Sequence, residues 1–475
     1  MASGLSHQNP WRTLMSGIFV LDDLHPEDNA MLQALYSRSP ASVNVHLPKV
    51  RGADSGAFMD KFYVGYGHAS IGDCGSTTIF IEDVSMLVAK AIQDNPLYSG
   101  QESSTRYLDF SAQPLIDPYG QSESRAILDR WMAIYNRFLP LVKESLSRQY
   151  PFDETAYPSR KVWENAIAAR AFDVSRGLLP VGVGTNVSWH TNLRQAREKL
   201  MALSHHPLAE VREVAMQVFA ALREKYPHSF REDDMTGAPR HVLRRAFADT
   251  FAMKDSFLTP DDVTDELTAR EFARLESGEV IVHDRLFDVS GLNRREEGLL
   301  SSRPQGAPLS RRLQAYGVYN IYFMLDFGSF RDIQRHRNGL CRMPLVDGRF
   351  GMHRWYLDDL ESKLSPLDFA ALKGAIDEQF EAIAALDQGT PTQNQYLYPL
   401  GTAVLCHMTY SLPEMVYVAE LRSGKTVHPS LRLIAWGMLD AMTDRHPKLA
   451  LYGDRDLDSW TARRGTQTID VRNGK

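Results

Sequence analysis

Two short stretches concentrate groups that can grip or polarise a ligand. Arg335-His336-Arg337 sets two guanidinium forks around an imidazole. Such planar forks match the oxygens of a phosphate or a polarised carbonyl. Glu102-x-Ser104-x-Arg106 gathers a carboxylate, a hydroxyl and another guanidinium in one short loop. That combination suits an anionic ligand that also presents hydrogen-bond donors. Neither stretch holds both sets. Each also has a plainer reading taken alone: a solvated helix end for Arg335–Arg337, and a serine-capped helix entry for Glu102–Arg106. Likewise His68 reads as a turn histidine and Arg422 as a surface charge. Cys341 has no evident base partner and is expected to be buried and inert.

The elements that must position these groups occur twice. HPLAEVREVAMQVFAALREKYP from His206 and HPSLRLIAWGMLDAMTDRHP from His428 both open on His-Pro, carry apolar residues at helical spacing and close on proline. Proline is tolerated in the first turn of a helix and stops one at its far end. Upstream of each lies a proline-containing apolar segment, from Leu178 and from Leu397. Further back, EDVSMLVAKAIQ ending at Gln93 parallels DFGSFRDIQ ending at Gln334, both helical in pattern. Three features recurring in one order indicate a duplicated unit. Its boundary is expected near Pro227–His241, giving units 1–232 and 241–475. Short runs such as STTIFIEDV and EVIVHD read as strands, so the expected class is α+β, each unit a small mixed sheet with long helices.

Bulk properties narrow the function. With 475 residues, 43% hydrophobic and 24% charged, the chain reads as a soluble globular protein of two or more domains. No apolar run is long enough to span a bilayer, and the start lacks a signal-peptide pattern, so a cytoplasmic location is expected. Cys74, Cys341 and Cys406 are unpaired in spacing, which argues against a zinc site. A net charge of −6 gives no broad attraction to nucleic acid or membrane.

Taken in order, these motifs resemble the flavin-dependent thymidylate synthases, the ThyX family. There RHR is followed directly by the Glu-x-Ser-x-Arg-Tyr stretch; here the signature is cut, with RHR at Arg335–Arg337 and ExSxRY at Glu102–Tyr107. GHASIGDC from Gly67 resembles the family's FAD-contacting GHxTxxEH, placing His68, Ser70 and Asp73 on its positions and Cys74 at its final His. Arg176 before Leu179-Pro180, then Asn192-Leu193-Arg194, match in the first half, and Leu421-Arg422 matches in the second. The opposite halves carry Leu203 where Arg422 would be and Ser411 where Asn192 would be.

The resemblance implies one composite site. Family sites lie between subunits, and a fused pair is free to keep each part once, so a homodimer of four units is expected. The resemblance further implies FAD, with NADPH and methylenetetrahydrofolate as co-substrates, and transfer of a one-carbon unit to carbon 5 of a uracil nucleotide. It assigns Arg176 and Arg422 to the ring oxygens as catalytic groups. Arg106 and Arg335 would hold the nucleotide, Ser104 its phosphate and Glu102 a nearby donor. Along the flavin would lie His68, Ser70, Asp73, Asn192, Arg194, His336 and Arg337. Two departures question dUMP itself. Asp332 stands where the family has a nucleotide-facing Gln, and Glu198 where it has Asn. A related pyrimidine nucleotide is one alternative substrate, and a catalytically inactive nucleotide-binding protein is a rival. An RNA-binding module would want clustered Lys and exposed aromatics that this acidic chain lacks.

Overall fold

A computed structural model describes residues 21–51, 54–65, 68–231, 267–386 and 389–456. The expected boundary segment therefore lies partly outside the described residues, beyond 231. The fold is α+β. By internal contacts it divides into two compact units, one within Met1–Thr78, His190–Met201 and Met216–Ala238, the other within Ile79–Trp189, Ala202–Ala215 and Pro239–Lys475. These are groupings in space and differ from the sequence repeats. No helix among the described residues is long and apolar enough to cross a membrane.

Strands β1 (Ser76–Ser85) and β2 (Gly184–Asn192) form a two-stranded sheet; β3 (Ile281–Phe287), β4 (Gly317–Asp326), β5 (Leu340–Arg342) and β6 (Ala403–Tyr410) form a second in the order β3-β4-β6-β5. All three pairings of the second sheet are antiparallel rather than mixed, with Tyr319 opposite Tyr410 and Asp326 opposite Ala403. Antiparallel neighbours need no right-handed crossover, so the segment between β4 and β6 is free to carry several helices and the short strand β5 before the chain returns. β4 is buried along most of its length, and its run GVYNIYFMLD is correspondingly apolar without alternation.

The same grammar is used in both halves. β1 ends on Ser85, whose Oγ accepts from the Val88 amide and starts the helix Met86–Gln93. β4 ends on Asp326, which accepts from the Ser329 amide and starts the helix Phe327–Ile333. Glu82–Val84, which fit both the strand run STTIFIEDV and the helical pattern EDVSMLVAKAIQ, are strand, because the cap fixes the helix start after Ser85. Long helices follow, Ser122–Gln149 and Arg160–Ser175 in the first half, Arg354–Lys363 and Pro366–Ala384 in the second. Then come β2 or β6, and finally the helices Ala209–Lys225 and Pro429–Arg445, both expected from their proline punctuation.

Two proline-bearing segments cross before β2 and β6. The Val181 amide donates to the Tyr398 carbonyl at 2.8 Å and the Leu400 amide to the Leu179 carbonyl at 2.7 Å, with Pro180 opposite Pro399. Gly182 donates to Tyr396 at 2.8 Å. Glycine is required there by space, since a Cβ would stand 2.7 Å from the Ile116 carbonyl oxygen. Trp131, fully buried, ties the long helix to the crossing by donating to the Leu397 carbonyl at 2.9 Å.

Candidate functional site

The helix Phe327–Ile333 delivers the centre of the site. Asp332 lies in its last turn, and its carbonyl is held by Arg422 Nη2 at 2.7 Å, donated from the end of the helix Leu412–Arg422. The Asp332 carboxylate is 18% exposed, with Arg335 Nη2 at 3.8 Å. Burial alone would raise its pKa, but the guanidiniums of Arg106, Arg335, Arg176 and Arg422 outweigh that and hold it below the usual carboxylate value. Two of those arginines come from the first half of the sequence and two from the second.

Each arginine is anchored differently. Arg106 makes a bidentate pair with Asp173, Nε to Oδ1 at 2.7 Å and Nη2 to Oδ2 at 3.1 Å. Burial pulls its pKa down to about 10 in spite of nearby Asp332. Arg176, 1% exposed, donates to the Tyr356 hydroxyl at 3.1 Å and the Ser329 Oγ at 2.6 Å, with Asp326 Oδ1 at 3.7 Å. Burial would lower its pKa, but Tyr356, Asp326 and Asp332 together raise it. Arg422 Nε donates to His336 Nε2 at 2.7 Å, so that imidazole is a neutral acceptor. Desolvation first, then Arg422 and Arg337, bring the His336 pKa to about 3. Arg335 is the most open of the four, 43% exposed at its side chain.

Beneath the arginines runs a buried polar network that sequence reasoning missed. Asp326 accepts from the Ser329 amide at 2.8 Å, the Tyr356 hydroxyl at 3.1 Å and the Ser430 hydroxyl at 2.6 Å. His428 Nε2 reaches the Asp173 carbonyl at 3.1 Å, a contact that places the imidazole proton on Nε2. The network thus links the carboxylate beside Arg176 to the residue that pairs with Arg106. One signal was legible, since Asp326 before Phe-Gly-Ser is a helix-cap pattern.

The remaining expected residues divide. Glu102 is buried in an ion pair with Arg331, and Gln93 Nε2 donates to it at 2.6 Å. Arg331 was not singled out from the sequence. Ser104 Oγ accepts from the Arg106 amide at 3.3 Å. Arg337 donates to the carbonyls of Gln93 at 3.1 Å and Tyr98 at 3.4 Å and lies 4.9 Å over the Tyr98 ring. Its Nη2 is buried with no partner among the described residues. His68, Ser70, Asp73, Asn192 and Arg194 fall in the other compact unit. There Arg194 pairs with Asp73 at 2.7 Å, and Asn192 Oδ1 caps the next helix by accepting from Gln195 at 2.8 Å. His68 and Ser70 are exposed. Cys341 is only partly buried rather than buried as expected, yet desolvation raises its thiol well above its ordinary pKa, consistent with an inert side chain.

A cavity of about 1090 Å³ lies elsewhere, lined by Trp355, Trp436 and Arg274 among others. Its arginines are already ion-paired: Arg274 with Glu279, Arg349 with Asp347, Arg354 with Asp358 and Arg445 with Asp284. The chemistry therefore points to the arginine cluster, where charge is concentrated around one carboxylate, rather than to this cavity.

Residues 21–228 match the family described as thymidylate synthase complementing protein. The match covers Glu102, Ser104, Arg106 and Arg176 but stops short of Arg335–Arg337 and Arg422. Longer likenesses span both halves. The chain is 24% identical to a UPF0159 protein of Chlamydia muridarum over 503 aligned residues, covering 94% of each chain. A UPF0159 protein of Chlamydia pneumoniae is 22% identical over 94% of this chain and 93% of its own. One from Thermoplasma acidophilum is 23% identical over 89% of this chain and 94% of its own. Those likenesses thus run along most of each chain.

Proposed function

We propose that the protein is a flavin-dependent enzyme that transfers a folate-derived one-carbon unit to carbon 5 of a uracil or related pyrimidine nucleotide. In this reading it consists of two fused ThyX-like units that keep one composite site. The observation that carries it is the gathering of Arg106, Arg176, Arg335 and Arg422 around Asp332, drawn from both halves of one chain. The family match over residues 21–228 and the full-length likenesses support it.

In this reading Arg335, the most open arginine, and Arg106 hold the anionic nucleotide, with Ser104 at its phosphate. Glu102 is fixed by Arg331 and Gln93, and it braces the loop that carries Ser104 and Arg106. Arg176 acts from the buried side and Arg422 from the helix end, stabilising negative charge on the ring oxygens as carbon 5 reacts. Fixed cations in a low-dielectric site stabilise developing charge without reorganising. Beside the arginine cluster two residues fit a flavin in type: the buried unpartnered Arg337 Nη2 offers a donor and neutral His336 an aromatic face. A bound flavin recharged by NADPH supplies the two electrons that take a methylene unit to methyl. A homodimer in the cytoplasm is the expected form.

Reconstitution with FAD tests the proposal. Saturated protein should bind one FAD per chain and gain a yellow spectrum. Two per chain would sink the single composite site, and none would sink the flavoenzyme.

A further inference from the structure

The carboxylates around the arginine cluster are not alike. Asp173 is saturated by both arms of Arg106. Glu102 is taken by Arg331 and Gln93. Asp326 accepts from a backbone amide and two hydroxyls. Asp332 differs: four guanidiniums surround it, yet the nearest contact, Arg335 Nη2, is 3.8 Å away, and no hydrogen bond to its carboxylate is formed among the described residues. Its backbone is fixed by Arg422 and by a helix capped at Asp326. The residue's position is therefore fixed through its backbone, while its carboxylate keeps accepting capacity that no donor among the described residues fills.

An ionised carboxylate only accepts hydrogen bonds. In the proposed site the phosphate belongs with the more exposed Arg335. The part of a bound nucleotide that meets the Asp332 carboxylate must then donate a hydrogen bond. Uracil presents O4 and O2 acceptors on either side of a single N3–H, so a carboxylate at that edge meets an acceptor beside the donor. Cytosine presents an amino group at carbon 4 in place of O4, a donor that a carboxylate oxygen accepts. We infer that Asp332 is a specificity residue that selects a cytosine nucleotide over a uracil nucleotide. The inference rests on the nucleotide site proposed above and deepens it.

Calorimetric titration of the full-length protein with dCMP, dUMP and UMP tests it. Wild type should bind dCMP on the order of tenfold or more tightly than dUMP, the discrimination expected of one hydrogen bond to a charged group. Asp332→Asn, which keeps the shape and gains a donor, should bring the two within about threefold. Should that variant fail to fold, the wild-type ratio alone decides. Equal or tighter binding of dUMP by wild type overturns the inference and leaves the nucleotide site standing. So does a preference for UMP over both deoxynucleotides that Asp332→Asn abolishes, because recognition would then lie at the sugar. If none of the three binds, the nucleotide site itself falls and this inference falls with it.

Discussion

Asp173 is fully buried near the end of the helix Arg160–Ser175, and its partner Arg106 is 12% exposed. Removing one member of a buried ion pair strands the other and commonly costs about 3–5 kcal/mol. Asp173→Asn should therefore lower the unfolding free energy by about 3 kcal/mol in urea titration; a loss below about 1 kcal/mol would mean that water already screens the pair. His336 gives a pH-dependent counterpart. Its pKa falls from 6.5 unfolded to about 3 folded, so the unfolded chain binds the extra proton between those values. Its contribution is complete above pH 6.5 and is lost as pH falls towards 3, at up to about 1.4 kcal/mol per pH unit. His336→Gln keeps an acceptor for Arg422 but cannot titrate, and its melting temperature should fall less steeply between pH 6.5 and about pH 4. At this scale the sequence exposed the arginines through motif order. It did not expose Asp173, Tyr356 or His428, because a buried polar side chain is identified by its partners, and those lie far along the chain.

Among the elements, local rules carried most of the reading. The helices Pro429–Arg445 and Ala209–Lys225 were legible from periodicity and proline punctuation. The start of Met86–Gln93 was not, since EDVS fits a helical pattern until Ser85 is seen to cap. Sheet order was illegible, because pairing β4 with β6 joins segments separated by several helices. The crossing of the two proline segments was equally hidden, and its tight packing yields a prediction. Gly182→Ala would drive a Cβ against two backbone carbonyls, Ile116 at 2.7 Å and Tyr396 at 3.0 Å. Neither can swing away as a side chain would, so a cost of about 1–3 kcal/mol is expected. Thermal unfolding should show the loss, while Gly374→Ala, where a Cβ meets nothing within 4 Å, should show none.

For the whole molecule, the decisive feature is that Arg106 and Arg335 flank the same Asp332 within one chain. In the proposed site, Arg106→Ala and Arg335→Ala each abolish turnover, since a desolvated charged contact is worth roughly 2–5 kcal/mol. Mixing the two variants with subunit exchange should restore nothing, because every site still lacks one arginine; recovered activity would place the partners on different chains. The order of the motifs was readable from the sequence alone, whereas the nearness of Arg106 and Arg176 to Asp332 needed the fold. The crossing at Pro180 and Pro399 also bears on how the protein is made. Four backbone hydrogen bonds of 177–182, from the Val181 and Gly182 amides and to the Gly177 and Leu179 carbonyls, find their partners at 396–401, which leave the ribosome much later. The first half must wait, with those four bonds unmade, until the second has been translated. Synthesis of this protein is thus finished almost to its end before its arginine cluster can close.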